Sequence, residues 1–144
     1  MKNLAVALVF LPAADIPTFV GEGKVSLGIT GRDQVLEHEA AVPPTDTTGV
    51  EELLDLEFGK CKLQVQVPAK GELQNPEDLV GKTVVTSFTN LAKKYYRDLE
   101  AKAGVESGKT TIKYVGGSVE AACALGVADG IVDLVGKTEA CTAI

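Results

Sequence analysis

Strand-type and helix-type segments alternate through the second half of the chain, and this alternation constrains the fold more than any other feature. A strand-type stretch at residues 82–87 is followed by helix-type residues from about Asn90. A second strand-type stretch, residues 110–115, leads into a helix predicted to begin at Ser118, and residues 130–135 form the next strand. Strands that alternate with helices form parallel sheets, because each helix returns the chain across a face of the sheet. The sequence therefore predicts an α/β fold.

Two of these segments carry a clear burial pattern. From Asn90, the apolar residues Leu91, Tyr95 and Leu99 recur every four positions, so we expect this face of the helix to be buried. Residues 61–67 alternate apolar and polar side chains, which is typical of a strand at the edge of a sheet or crossing between two lobes.

The first part of the chain is predicted to place a helix between two strands. The apolar run at residues 4–11 indicates a buried parallel strand, and a short signal peptide is the alternative. Asp15 is suited to cap a helix that ends near Gly21. Residues 24–29 then predict a second strand.

Charge and motif spacing exclude several classes of function. A formal net charge of −6 in 144 residues argues against nucleic acid as a partner, because such proteins present clustered Lys and Arg side chains to phosphates. No apolar run is long enough to span a membrane. The two Gly-Lys-Thr triplets are not Walker phosphate loops, since Pro76 and Ile131 occupy the positions where that motif needs its first glycine.

Ligands of parallel sheets bind at the carboxyl ends of the strands. Three turns there carry small or polar residues that suit a polar ligand: 30–33, 87–90 and 116–120. Asp129 and Asp133 flank a strand that is otherwise apolar, and carboxylates at strand ends commonly hold hydroxyls or a metal-bound ligand. A plain turn is the alternative at residues 30–33, and simple helix capping is the alternative at residues 116–120.

Several ordered motifs closely resemble the ATP phosphoribosyltransferase family, which catalyses the first step of histidine biosynthesis. The sequences of these motifs are similar to those of fungal members. The motifs are DIPTFVGEG at 15–23, LGITGRD at 27–33, LEFGKCKL at 56–63, GK at 81–82 with TSF at 86–88, GSVE at 117–120, and AD at 128–129 with DLV at 133–135. The resemblance covers the chain from Val6 to Val135.

The resemblance implies a two-lobed α/β fold like that of type II periplasmic binding proteins, with mainly parallel sheets and an incomplete first lobe. Residues 1–60 would form part of the first lobe, and residues 61–144 the crossing strand and the second lobe, with an off-family tail at 136–144. It also implies the reaction: adenine N1 of ATP joins the ribose of phosphoribosyl pyrophosphate, and pyrophosphate leaves. Mg²⁺ would be the cofactor, held mainly by the substrate and not by protein ligands. A non-catalytic two-lobed module that binds a small anion or nucleotide is the alternative.

The resemblance also suggests which residues form the site. The catalytic candidates are Glu120 near the ribose or adenine, with Asp129 and Asp133 beside the phosphoribosyl group. The substrate-binding candidates are Thr30, Gly31, Asp33, Thr86, Ser87, Gly117 and Ser118. The intact family member is expected to be a cytoplasmic homo-oligomer.

Two departures from the family pattern stand out. Ser26 replaces an acid that is usual before residues 27–29. After Val135 the family continues with a Ser/Thr-Gly-x-Thr phosphate loop, whereas here Gly136-Lys137-Thr138 follows. We therefore expect residues 136–144 to be translated intron or a misassigned gene end. We also expect uncovered apolar surface and poor solubility of the isolated chain.

Overall fold

The computed structural model describes residues 3–69 and 71–136. The chain divides into two compact units, one up to Leu53 and one from Leu54. The predicted lobe boundary after residue 60 stays a prediction. The predicted tail beyond Gly136 lies outside the described residues. The prediction about its origin stays a prediction.

The first unit contains two helices, α1 (Ile16–Gly21) and α2 (Arg32–Ala41). Asp15 stands at the N-cap of α1 as predicted, although its side chain makes no capping hydrogen bond. The two helices contact each other, with Thr18 Oγ1 3.3 Å from His38 Nδ1. A Cβ atom at Gly28 would lie 2.5 Å from a methyl group of Ile16, so glycine allows the segment before α2 to pass close to α1.

The two strands predicted in the first unit, at residues 4–11 and 24–29, do not form. Both predictions were wrong, since neither segment joins a β-ladder within the described part of the chain. A strand is stable only when a neighbouring strand takes up its N–H and C=O groups. The apolar side chains of both segments, such as Phe10 and Ile29, are exposed instead of buried.

The second unit is built on a four-stranded sheet in the order β1-β4-β2-β3. Strands β2 and β3 are parallel, as are β2 and β4, whereas β1 is antiparallel to β4. The sheet is therefore mixed but mostly parallel, and the segment predicted as an edge or crossing strand is the edge strand β1. The strands are β1 (Cys61–Gln66), β2 (Thr83–Thr86), β3 (Thr111–Tyr114) and β4 (Gly130–Gly136).

Two helices and one 3₁₀ turn connect the strands. The 3₁₀ turn, Pro76–Leu79, is held at its start because the Asn75 N–H donates to Asp78 Oδ2 at 2.9 Å. Helix α3 is Thr89–Lys102 and helix α4 is Ala121–Ala124. Gly104 follows α3 at φ +66°, a left-handed conformation that suits glycine at the end of a helix.

Helix α3 presents a different face to the sheet from the one predicted. Its buried residues are Ala92, Tyr96, Leu99 and Glu100, whereas Tyr95 is exposed. The helix is thus rotated by about one residue from the predicted Leu91–Tyr95–Leu99 stripe. Tyr96 and Glu100 are buried in its place. The pattern of apolar residues does not predict this face, because a Glu side chain is normally expected to be exposed.

The sheet has an apolar core on each face. One core lies beneath α3 and joins the 3₁₀ turn to three strands through Val65, Leu79, Val84, Ala92, Tyr96, Leu99 and Val132. The other lies beneath α4 and contains Val85, Val119, Ala122 and Ile131. Alternation of side chains along the strands separates the two cores, since neighbours such as Val84 and Val85 point to opposite faces.

Candidate functional site

The strand register places several predicted site residues at one edge of the sheet. Thr86, the last residue of β2, pairs with Tyr114 at the end of β3 and with Val132 in β4. Ser87, the loop at 116–120 and Asp133 come directly after these three positions. This edge, the carboxyl ends of the parallel strands, is the usual ligand-binding edge of an α/β sheet.

Thr86 is a buried residue that stabilises the turn at this edge. The residue is 0% exposed, and its Oγ1 accepts a hydrogen bond from the Phe88 N–H at 2.9 Å. The bond fixes the turn that leads from β2 into α3. Ser87, in the middle of that turn, is only half-buried, so its hydroxyl is better placed than that of Thr86 to reach a ligand.

The loop at 116–120 is exposed apart from Val119, which packs in the core beneath α4. Ser118 has φ +53°, a left-handed conformation that costs free energy for a residue with a side chain and often marks functional sites. At Gly117, by contrast, an added Cβ atom would meet no heavy atom within 4 Å. The loop is therefore anchored by one residue and open to solvent around it.

The predicted helix start at Ser118 was wrong. Helix α4 begins at Ala121, with Glu120 as its N-cap, and has only four residues. The left-handed backbone of Ser118 is incompatible with a helix there. Glu120 is exposed, so its carboxylate is accessible from the loop.

Asp133 and Asp129 lie at different levels of β4. Asp133 is half-buried beside the Thr86 level, pairs with Gln64 of β1, and accepts a hydrogen bond from the Leu134 N–H at 2.8 Å. Asp129 precedes the strand at the opposite, amino edge of the sheet. There its Oδ2 accepts from the Thr83 N–H at 2.9 Å, while its own N–H donates to the Thr83 carbonyl at 2.9 Å. These contacts join the starts of β2 and β4, and a catalytic role for Asp129 stays a prediction.

The other predicted residues, Thr30, Gly31 and Asp33, belong to the first unit. The Thr30 hydroxyl donates to the Ala13 carbonyl at 2.9 Å, so it already has a structural partner. Gly31 is the N-cap of α2, and a Cβ there would collide with the Asp33 carboxylate, which in turn accepts a hydrogen bond from Gln34 at 2.7 Å. The turn is therefore tightly packed on itself.

Sequence reasoning missed two residues. Tyr114 is 69% exposed at the end of β3, whereas the sequence pattern predicts only that it belongs to a strand. Glu100 is buried at 1% exposure and holds three hydrogen bonds from the segment before β3. The position of Tyr114 two residues before the Gly116-Gly117 pair was the available signal for the first; none was available for the second.

Within residues 3–69 and 71–136, no cluster of three or more His, Cys, Asp or Glu side chains is arranged to hold a metal ion. In the same residues, no helix has the length and apolar character needed to cross a membrane.

A mostly parallel sheet covered by helices on both faces, with polar loops at its carboxyl edge, defines an α/β protein whose candidate ligand site is that edge. The model of the family described as "HisG: ATP phosphoribosyltransferase" matches residues 12–141. The chain belongs to the ATP phosphoribosyltransferase family, as the motifs predicted. The match runs on beyond Val135, where those motifs end.

Two fungal proteins are similar to this chain over most of its length. The chain is 61% identical over 137 residues to an ATP phosphoribosyltransferase of Yarrowia lipolytica, covering 95% of this chain and 43% of the relative. The values for the Saccharomyces cerevisiae protein are the same, 61% over 137 residues with coverage of 95% and 43%. The chain thus spans less than half the length of these relatives.

A solved structure agrees on the fold. The "ATP phosphoribosyl transferase (HisG:HisZ) complex from Thermotoga maritima" superposes with a TM-score of 0.66 at 24% identity, covering 88% of this chain and 54% of that one. This likeness confirms the predicted α/β fold of the type II periplasmic-binding-protein kind.

Proposed function

We propose that the chain carries part of the catalytic core of an ATP phosphoribosyltransferase, which joins N1 of ATP to the ribose of phosphoribosyl pyrophosphate and releases pyrophosphate in histidine biosynthesis. The observation that carries the proposal is the family match over residues 12–141. The carboxyl-edge arrangement of Ser87, the 116–120 loop and Asp133 supports it.

The chemistry asks little of the protein beyond placement and charge. The adenine nitrogen is the nucleophile and pyrophosphate is the leaving group, so both come from the substrates. Catalysis then depends on holding the two substrates in line and stabilising charge as the bond to the anomeric carbon breaks. This agrees with a site that offers hydroxyls, backbone amides and carboxylates without an activated nucleophile.

Each residue has a role in the proposal. Ser87, Gly117 and Ser118 bind substrate oxygens, while Glu120 and Asp133 accept hydrogen bonds from ribose hydroxyls and stabilise positive charge at the anomeric carbon. Thr86 acts by supporting the turn at Ser87. The first-unit residues Thr30, Gly31 and Asp33 keep their predicted substrate-binding roles as part of the same proposal. Asp129, which was predicted to lie beside the phosphoribosyl group, acts in this proposal by joining the starts of β2 and β4 through Thr83.

Mg²⁺ belongs to the proposal as an ion that enters with the pyrophosphate group. Mg²⁺ in phosphate-transfer sites is commonly held by substrate phosphates with one or two carboxylates. In this proposal the substrate phosphates hold most of the coordination sphere of the ion, as the resemblance implies. A cytoplasmic location and association with further chains are part of the same proposal; the Thermotoga structure is described as a complex.

Release of pyrophosphate from ATP and phosphoribosyl pyrophosphate with Mg²⁺ tests the function. We expect turnover that requires both substrates and that falls by about 10²-fold or more in Glu120→Gln, the typical effect of removing a group that stabilises the transition state. Glu106→Gln is the matched control, because Glu106 is also an exposed glutamate but lies away from the carboxyl edge.

The outcome separates two functions. Nucleotide binding without any pyrophosphate release would contradict catalysis by this chain and favour the binding module. Equal turnover in Glu120→Gln and Glu106→Gln would remove Glu120 from the mechanism.

A further inference from the structure

Tyr114 lies at the candidate ligand edge with an exposed side chain. It ends β3 opposite Thr86 and is 69% exposed, whereas Val115, the next residue, ties the chain to β2 by donating its N–H to the Thr86 carbonyl at 3.1 Å. An aromatic ring exposed to this degree contributes little to core packing. It is the exposed aromatic residue of this edge within the described part of the chain.

The ring leans forward over the loop. A Cβ atom built at Gly116 would lie 3.0 Å from Tyr114 Oη and 3.6 Å from the ring carbon that bears it. The ring therefore extends from the end of the strand to the glycine that begins the 116–120 loop. Glycine at 116 gives the ring this room, and the rest of the ring stays accessible to solvent.

We propose that Tyr114 is the residue on which the adenine ring of ATP stacks. The inference rests on the proposed function. Aromatic side chains bind bases through their π-faces, and such stacking does not depend on hydrogen-bond pairing. A ring beside the loop that binds substrate oxygens holds the base next to the ribose and phosphate groups.

Binding of two probes to the 144-residue chain tests the proposal by calorimetry: ATP, and inorganic tripolyphosphate, which carries the phosphates without a base. We expect Tyr114→Ala to weaken ATP binding at least about fivefold, the lower end of what base stacking on an aromatic ring provides. Binding of tripolyphosphate should not change. Tyr114→Phe, which keeps the ring, should bind both probes like the unsubstituted chain.

Lys113→Ala is the matched control, since Lys113 is also exposed but its side chain points to the opposite face of the sheet. Thermal unfolding monitored by circular dichroism should give the same Tm for all variants, because neither side chain is buried. Tyr114→Ala that binds ATP unchanged, or that loses ATP and tripolyphosphate equally, would overturn the stacking role while leaving the proposed function in place. An unsubstituted chain that does not bind ATP would overturn the proposed function and this inference with it.

Discussion

Glu100 shows how one buried side chain can join a helix to the segment that follows it in the second unit. Its Oε1 accepts hydrogen bonds from the Thr110 N–H and hydroxyl, both at 2.7 Å, and its Oε2 accepts from the Gly108 N–H at 2.6 Å. These bonds tie α3 to the residues that precede β3. Burial from solvent acts to raise the pKa of Glu100, but the bonds from Thr110 and Gly108 outweigh it, so the pKa lies below its ordinary value of 4.5.

The lowered pKa predicts acid-sensitive stability. Because the folded-state pKa of Glu100 is below the unfolded one, the unfolded chain takes up the proton first as the pH falls, and stability is lost below about pH 5. We expect Glu100→Gln to lower the free energy of unfolding at pH 7 by about 1–3 kcal/mol, since an amide cannot accept all three hydrogen bonds. The variant should therefore unfold at a lower urea concentration. Its urea midpoint should then change less between pH 7 and pH 3 than that of the unsubstituted chain.

Asp98→Asn is the control, because Asp98 is exposed on the same helix. Glu100→Gln with an unchanged midpoint at pH 7, or with the full acid sensitivity of the unsubstituted chain, would contradict this account of Glu100.

At the scale of elements, the start of β4 is packed against the 3₁₀ turn. A Cβ atom at Gly130 would lie 2.7 Å from Leu79 Cδ1 and 3.3 Å from the Gln66 carbonyl oxygen. Leu79 is fully buried, so it has little room to move. The glycine therefore sets how closely the turn approaches the sheet, and the requirement comes from space, not from an unusual backbone angle.

Gly130→Ala is accordingly expected to lower the free energy of unfolding by about 1–3 kcal/mol, the usual cost of overpacking a core. Gly117→Ala is the matched substitution, because its added methyl group would meet nothing within 4 Å. Urea unfolding of both variants checks the prediction. If Gly130→Ala is as stable as Gly117→Ala, the 3₁₀ turn can move away from the added methyl group without loss of stability, and the prediction is contradicted.

At the scale of the whole chain, apolar surface is the most notable property. Phe10 is 87% exposed, and the segments around it and around Ile29, which the sequence marks as strands, cover no core in the described structure. Exposed apolar surface on this scale promotes association. The expectation of poor solubility follows from the same side chains.

We therefore expect the purified chain to bind a hydrophobic dye such as ANS at pH 7 and to self-associate in sedimentation. Phe10→Lys should lower the dye signal without lowering the urea midpoint, because that side chain contributes nothing to a buried core. Tyr95→Lys serves as the comparison on α3, where exposure is only 42%. A chain that is monomeric in sedimentation and does not increase ANS fluorescence would contradict the prediction.

Local pattern was sufficient for the strands of the second unit, for the position of α3 in the chain and for the family. Alternation, glycine stops and caps predicted β1 to β4 and α3, because each of those signals depends on residues close in sequence. The ordered motifs identified the family, and they named residues of the carboxyl edge such as Ser87, Asp133 and Glu120. The same local rules failed at residues 4–11 and 24–29, since the pairing of a strand depends on a neighbour that can come from anywhere in the fold.

Tertiary contacts alone decided the remaining details. A buried Glu on α3 runs against the apolar pattern, and only its hydrogen bonds to Thr110 and Gly108 explain it. Asp129 and Asp133 look alike in sequence, but the register places the first at the amino edge against Thr83 and the second near the level of Thr86. The exposure of Tyr114 likewise depends on β3 being the outer strand of the sheet. Sequence predicts which segments become strands and helices, whereas burial, register and partners arise between segments that are far apart in the chain.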